Sequence, residues 1–118
     1  MHNFRELKVY QKSLDFIEAV YKISKGFPKD EIFGLTSQLR RAANSIALNI
    51  AEGSGSKSKK EFSQLVSYAI RSGYECSACF DISTRLLFIN KSTYDSLIEQ
   101  INEIIAMLIG LSNSIKTD

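Results

Sequence analysis

The sequence has no tryptophan, a single proline (Pro28) and only six glycines in 118 residues. Proline and glycine are the strongest local breakers of regular structure, so a turn-rich β fold is not expected. The abundant residues are instead isoleucine, leucine, alanine, serine, lysine and glutamate. This composition favours long helices joined by few turns.

Long apolar runs are also missing. The longest nearly apolar stretch, residues 104–111, is eight residues long, whereas a helix that crosses a bilayer needs about 20. The chain opens MHNFRELKVY, with charges where a signal peptide would carry its apolar segment. We therefore expect a cytoplasmic protein without a membrane partner.

The supply of catalytic and metal-binding side chains is small. The only histidine is His2, and the only cysteines are Cys76 and Cys79. Their spacing of three would suit a redox or metal site, but a structural zinc site needs four ligands. The alternative, a pair of small buried side chains in a helix, is favoured. We predict no catalytic residue, no metal site and no cofactor.

The Gly53–Lys57 segment and Glu52 each have a functional and a purely structural interpretation. The segment Gly53-Ser-Gly-Ser-Lys57 resembles a phosphate-binding loop, but it lacks a preceding strand and the Gly-Lys-Ser/Thr ending, which favours an interhelical turn. Glu52 could act as a general base. Its unfavourable position at the end of a helix more simply suggests a cationic partner, such as Arg41 of another subunit.

With 44% apolar and 24% charged residues, the chain has the composition of an ordinary globular protein with a core. Apolar residues recur at helical spacing in four segments. The predicted core faces are Leu7, Tyr10, Leu14, Ile17 and Tyr21 in helix 1; Leu35, Leu39, Ala42, Ile46 and Asn49/Ile50 in helix 2; Phe62, Leu65/Val66, Ala69, Gly73, Cys76, Phe80, Ser83 and Leu87 in helix 3, widened by Ile82, Leu86 and Ile89; and Leu97, Ile101, Ile104/Ile105, Leu108, Leu111/Ser112 and Ile115 in helix 4.

Turn and capping residues delimit these helices. Helix 1 ends at Gly26-Phe27-Pro28, and helix 2 begins either with Asp30 as its N-cap or after Gly34 with Thr36 as its cap. Ser58 and Glu61 form a capping box at the start of helix 3, and Ser92 or Thr93 caps helix 4. Short connections require antiparallel neighbours, so the chain is predicted to be one all-α domain over residues 1–118, an antiparallel up-down-up-down four-helix bundle.

Several segments together resemble one family. They are Phe4-Arg-Glu-Leu-Lys-Val-Tyr10, Phe27-Pro28, Leu35-Thr-Ser-Gln-Leu-Arg-Arg-Ala42 and Asn44-Ser-Ile-Ala-Leu-Asn-Ile-Ala-Glu-Gly53. The sequence is similar to the four-helix-bundle proteins encoded by the intervening sequence of bacterial 23S ribosomal RNA genes, also classed as S23 ribosomal proteins. It departs from their pattern at Tyr10, where tryptophan is usual, and at Ser77, where the family carries a second carboxylate beside Glu75.

The resemblance implies an antiparallel bundle that assembles as a ring-like homopentamer. A related branch, the accessory proteins of diversity-generating retroelements, is similar in forming a pentameric barrel whose basic surface engages nucleic acid. For this chain the resemblance therefore implies a homo-oligomer, with RNA or DNA as a candidate partner.

Positive charge is concentrated in the first half of the chain. Residues 1–60 hold eleven Lys/Arg and six Asp/Glu, whereas residues 61–118 hold four and seven. In an up-down-up-down bundle the chain start, the helix 2–3 loop and the chain end lie together. We name this pole the basic end; its cations are Arg5, Lys8, Lys57, Lys59, Lys60 and Lys116.

Two sets of candidate site residues follow. The candidate nucleic-acid-binding residues are Arg5, Lys8, Arg40, Arg41, Lys57, Lys59 and Lys60, and the alternative for the lysine loop is a solvated surface. The candidate oligomer interface is the outer line Arg41, Ser45, Leu48 and Glu52 on helix 2, joined by Phe33, Tyr68, Tyr74 or Phe88. One of Arg40 and Arg41 is expected to make a structural ion pair. A protein-protein adaptor or assembly scaffold without nucleic acid is the competing function, and an enzyme is a third class.

Overall fold

A computed structural model of the protein describes residues 3–117. Four α-helices account for most of them: α1 (Lys8–Ser24), α2 (Leu35–Ser54), α3 (Lys59–Arg85) and α4 (Lys91–Thr117). Short 3-10 turns at Phe4–Glu6 and Lys29–Glu31 precede α1 and α2. This part of the chain contains no strand. The prediction of an all-α four-helix bundle is confirmed.

Each helix packs against the next, and α1 packs against α4 to close the bundle. The α2–α3 pair makes the most extensive contact. The α2–α3 connection is at the basic end, together with the start of α1 and the end of α4. At the opposite end the two remaining connections meet, where the rings of Phe27 and Phe88 lie 5.5 Å apart.

The core faces of α2 and α4 are buried as predicted, but that of α1 is displaced by one position. The side chains of α1 that are most deeply buried are Val9, Ser13, Phe16 and Val20. The predicted stripe from Leu7 to Tyr21 is half-buried beside them. Phe16 fixes this rotation, because its ring packs edge-on against Phe80 of α3, with ring centroids 6.0 Å apart.

Of the two predicted starts of α2, the start after Gly34 is confirmed, but the predicted caps, Asp30 and Thr36, were wrong. The N-cap residue is Gly34, which has no side chain to accept a hydrogen bond from the helix start. Thr36 lies buried inside the first turn. The carboxylate of Glu31 replaces a cap, since its Oε1 accepts a hydrogen bond from the Leu35 N–H at 3.1 Å. Asp30 lies in the preceding 3-10 turn.

At its other end α2 continues through Gly53 to Ser54. The turn therefore begins at Gly55, two residues later than predicted. Gly53 is buried against α3, where an added Cβ would lie 2.9 Å from the Phe62 ring. This close approach explains glycine at this position and leaves no loop for a phosphate there.

The ends of α3 gave one confirmed prediction and errors at three core positions. Ser58 caps the helix, because its Oγ accepts from the Glu61 N–H at 3.1 Å. Leu87, predicted in the core, is 88% exposed and has φ 65°. Ile82 and Leu86, predicted to widen the core face, are exposed as well. Leu87 occupies the left-handed position that ends a helix, where Phe88 N–H bonds Ser83 C=O at 2.8 Å.

The cap of α4 also differs from prediction. Neither Ser92 nor Thr93 caps the helix; the side chain of Asn90 does, since its Oδ1 accepts from the Thr93 N–H at 2.8 Å. Asparagine is as good an N-cap residue as serine, and here it directly precedes the first helical residue, Lys91.

Gly73 sets the distance between α3 and α4. A Cβ at this position would lie 2.8 Å from Cγ1 of Ile105, which is closer than carbon atoms pack. Gly110 of α4 is a natural contrast, because a Cβ there would meet nothing within 4 Å.

We predict that Gly73→Ala lowers the free energy of unfolding by about 1–3 kcal/mol, because the new methyl group forces the two helices apart. Gly110→Ala should raise it by about 0.5–1 kcal/mol through backbone entropy. Urea denaturation of both variants at one protein concentration measures the effect. Equal shifts of the two midpoints would contradict the close approach at Gly73.

Candidate nucleic-acid and assembly surfaces

The basic end combines lysines from two helices. Lys59 and Lys60 in the first turn of α3 and Lys116 in the last turn of α4 border one depression of about 290 Å³, together with Ser63 and Ile115. Lys57 precedes α3 and is exposed. Within residues 3–117, no carboxylate lies within 4.0 Å of the Lys57 or Lys60 ammonium group. The arrangement presents positive charge to solvent.

The start of the chain adds two further cations to this end. Arg5 lies in the first 3-10 turn, which packs against α2, and its guanidinium is 4.5 Å from the Phe4 ring centroid. Lys8 is exposed at the first position of α1. Five of the seven candidate nucleic-acid residues are therefore at the basic end.

Arg40 does not belong to this group. It lies near the start of α2, at the opposite end of the bundle, where its Nε donates to Ser24 Oγ at 2.8 Å. Its guanidinium also lies 4.7 Å from the Tyr21 ring centroid. The ion pair expected for one of the two arginines is absent from residues 3–117, and Arg40 instead connects α1 to α2 through a hydrogen bond and a ring.

Arg41 occupies a third location. It is exposed on the groove between α2 and α3, about 20 Å along the helix from Ser54. The groove has a volume of about 570 Å³, and its lining includes Phe33, Arg41 and Glu75. Arg40 and Arg41 thus lie apart from the lysines of the basic end, and a role of either in nucleic-acid binding stays a prediction.

The predicted interface line is partly occupied within the chain. Ser45 accepts hydrogen bonds from Ser72 Oγ and from Asn49 Nδ2, both at 2.9 Å. It therefore connects α2 to α3 and is not a free contact residue. Arg41, Leu48 and Glu52 are exposed as predicted, and Leu48 retains 66% of its surface.

The Ser45–Ser72 bond fixes which residues of the two antiparallel helices lie level. Helical spacing then places Leu48 level with the exposed Tyr68, one turn towards the basic end, while Arg41 and Glu75, one turn away from it, line the same groove. We name this surface the α2–α3 face. Sequence reasoning missed Ser72 and Glu75, although their spacing of three mirrors that of Ser45 and Leu48.

Of the four aromatic residues predicted to extend the interface, three are exposed. Phe33 retains 95% of its surface, and Tyr68 and Tyr74 are also accessible. Phe88 is half-buried against Phe27 and is not a surface anchor.

The family model of the 23S rRNA-intervening sequence proteins matches residues 5–110. The chain belongs to this family. Its fold also resembles a crystal structure of a protein of unknown function from the S23 ribosomal protein family of Bacteroides thetaiotaomicron VPI-5482. The TM-score is 0.83 at 24% identity, over 89% of this chain and 95% of the other. No curated protein sequence matches the chain.

The described part of this 23S rRNA-intervening sequence family member shows no cluster of three or more histidine, cysteine or acidic residues placed to hold a metal ion. Among the same residues, no helix is long and apolar enough to cross a membrane.

The two cysteines of this family member are buried in α3. Burial raises the pKa of the Cys79 thiol to about 11, and the nearby Glu75 acts in the same direction. Burial likewise raises the pKa of Cys76, further than that of Cys79. Since the thiolate is the reactive form, neither side chain is a nucleophile near neutral pH.

We predict that iodoacetamide at pH 8 leaves both thiols unmodified in the folded protein and alkylates both in urea, as measured by mass spectrometry. The folded-state pKa lies above that of an unfolded thiol, so the folded state retains protons that the unfolded state loses. The free energy of unfolding should therefore fall as the pH rises from about 8.5 towards 11. Rapid alkylation of the folded protein at pH 8 would contradict this burial.

Proposed function

We propose that the protein is a non-enzymatic, cytoplasmic homo-oligomer that binds RNA or DNA phosphates through its basic end. The observation that supports this proposal most is the depression bordered by Lys59, Lys60 and Lys116, with Lys57 beside it. Lysines from separate helices that border one depression can contact several phosphates of one strand together.

The electrostatic argument depends on the number of copies. With a net charge of only +2, one chain would bind a polyanion weakly. In an oligomer that presents its basic ends to one side, each further subunit binds the same strand as an intramolecular event. The homopentamer implied by the family resemblance would multiply the number of neutralised phosphates by five.

The α2–α3 face is the proposed contact between subunits. Leu48 and Tyr68 supply an apolar centre, and Arg41 and Glu75 supply opposite charges at its side. Within residues 3–117, the Arg41 guanidinium has no carboxylate within 4.0 Å. Arg41 can therefore pair with a carboxylate of a second copy, either Glu75 or Glu52, at the edge of a contact that covers Leu48.

A protein-protein adaptor is the second candidate. Phe33 favours it, because an almost fully exposed phenylalanine beside the α2–α3 groove would suit another protein as well as a second copy. This function requires no lysine at the basic end, so it predicts that partner capture survives charge reversal there.

We predict that Lys57→Glu, Lys59→Glu and Lys60→Glu together abolish binding of a fluorescently labelled RNA at low salt, measured by anisotropy. The wild-type affinity should fall steeply as salt increases, because bound counterions are released from the phosphates. The matched control is Lys22→Glu, Arg85→Glu and Lys91→Glu, an equal charge change at the opposite end, which should retain most of the affinity.

Equal loss in both triple variants would show that net charge alone governs binding. Absence of binding by the wild-type protein at low salt would overturn the nucleic-acid proposal, and partner capture unaffected by the lysine changes would favour the adaptor.

We predict that Leu48→Asp dissociates the oligomer, since a carboxylate at the centre of the interface would be buried without a partner. Light scattering should show the mass fall to that of one 13.3 kDa chain. Ile109→Asp, which places the same charge on an exposed position of α4, is the control and should leave the mass unchanged. An unchanged mass in Leu48→Asp would exclude the α2–α3 face as the contact.

A further inference from the structure

A second depression lies at the corner where α1 ends and α2 begins, away from both the basic end and the α2–α3 face. It has a volume of about 440 Å³. Apolar side chains of Phe27 and Ile32 form part of its wall, and the polar groups around it are Lys25, Lys29, Thr36 and Arg40. We name it the α1–α2 corner.

Arg40 is held in place at this corner but has no anionic partner. Its Nε is bonded to Ser24 Oγ, and its guanidinium plane is supported by Tyr21. The two terminal nitrogens make no hydrogen bond within residues 3–117, and no carboxylate lies within 4.0 Å of them. An arginine oriented in this way presents a ready fork of donors to two oxygens of one ligand.

Thr36 provides an independent indication of a ligand. It is only 3% exposed, and its hydroxyl has no hydrogen-bond partner in the described chain. No side-chain nitrogen or oxygen in residues 3–117 is both completely buried and unpartnered, so the Thr36 hydroxyl keeps some accessible surface, and Thr36 lines the depression. A nearly enclosed hydroxyl without a partner in the protein is available to an oxygen of a ligand.

The start of α2 adds one backbone donor beside the depression. The Leu35 N–H is taken by Glu31 Oε1, and the Gln38 N–H bonds to Gly34 C=O. The amide of Thr36 has no acceptor within residues 3–117, and the amide of Ser37, a residue of the α2–α3 groove, has none either. A free N–H in the first turn of a long helix can donate to an oxygen of an anion.

The residues that line the depression include cations and no carboxylate. Lys25, Lys29 and Arg40 line it, while the Glu31 carboxylate lies outside the lining and accepts from the Leu35 N–H at the start of α2. A phosphomonoester carries about 1.5 to 2 negative charges near neutral pH and has three acceptor oxygens. Its oxygens can accept hydrogen bonds from the arginine fork and from the hydroxyl and amide of Thr36.

We propose that the α1–α2 corner binds a phosphomonoester attached to an apolar or aromatic group. The phosphate oxygens contact the Arg40 guanidinium and the hydroxyl and amide of Thr36, and the attached group lies against Phe27 and Ile32. A small metabolite and the phosphorylated 5′ end of a nucleic-acid strand present the same chemistry. The site is separate from the basic end and does not depend on the proposed function.

The test is calorimetric titration of the full chain with phenyl phosphate at low salt, with inorganic phosphate and benzoate as comparisons. We expect phenyl phosphate to bind at least about tenfold more tightly than benzoate, because the site is built for a dianion with three acceptors. The amide resonance of Thr36 should shift on saturation. A 5′-phosphorylated oligonucleotide that competes with phenyl phosphate would support the strand end as the source; binding of phenyl phosphate alone would support a small metabolite.

Three variants locate the binding. Thr36→Val removes only the hydroxyl and should weaken phenyl phosphate binding by about tenfold. Lys29→Glu, at an exposed position, should weaken it further, and Lys22→Glu, an equal charge change on α1 outside the corner, should not. Thermal unfolding confirms that each variant is folded.

Three results would overturn the proposal. They are no saturable heat with up to about 10 mM phenyl phosphate, benzoate binding as tightly as phenyl phosphate, and equal weakening by Lys22→Glu and Lys29→Glu. None of them would affect the lysines of the basic end, so this test and that of the proposed function fail independently.

Discussion

The close approach of α3 to its neighbours is the constraint on which the other features depend. Gly53 and Gly73 leave room for Phe62 and Ile105, and a methyl group at either glycine would collide with the facing side chain. Packing at this distance brings Ser45 and Ser72 into hydrogen-bond contact and so fixes the register of the two helices. The composition of the outer α2–α3 face follows from that register, as does the convergence of lysines where α3 begins and α4 ends.

Much of this architecture could be predicted because apolar spacing reports directly on helix faces. The α2 and α4 stripes are buried as expected, and Ser58 caps α3. The α1 face was displaced because Ser13 is a core residue. Its hydroxyl donates to the Val9 C=O at 2.7 Å, so a side chain that counts as polar in a sequence pattern is satisfied within its own helix. The prediction that Leu87 is a core residue was wrong for the converse reason. Its left-handed backbone conformation ends the helix and places an apolar side chain in solvent.

The candidate sites were predictable to the extent that topology determines them. An up-down-up-down order is sufficient to bring Lys57, Lys59, Lys60 and Lys116 to one end. Helical spacing does not show which residues of two neighbouring helices lie level with each other. It therefore could not predict that Arg40 bonds to Ser24 or that Ser45 faces Ser72. The α1–α2 corner was also missed, because its donors come from a turn, a helix start and a buried threonine that no motif connects.

A well-packed interior places the candidate binding groups on the outside of the bundle, where the proposed assembly would combine the charges of several copies. The most direct measurement is the molar mass of the purified protein, recorded with its ratio of absorbance at 260 and 280 nm, before and after nuclease treatment. The account predicts a mass that is a multiple of 13.3 kDa and an absorbance ratio that falls after nuclease. A monomer of 13.3 kDa with an absorbance ratio unchanged by nuclease would contradict it.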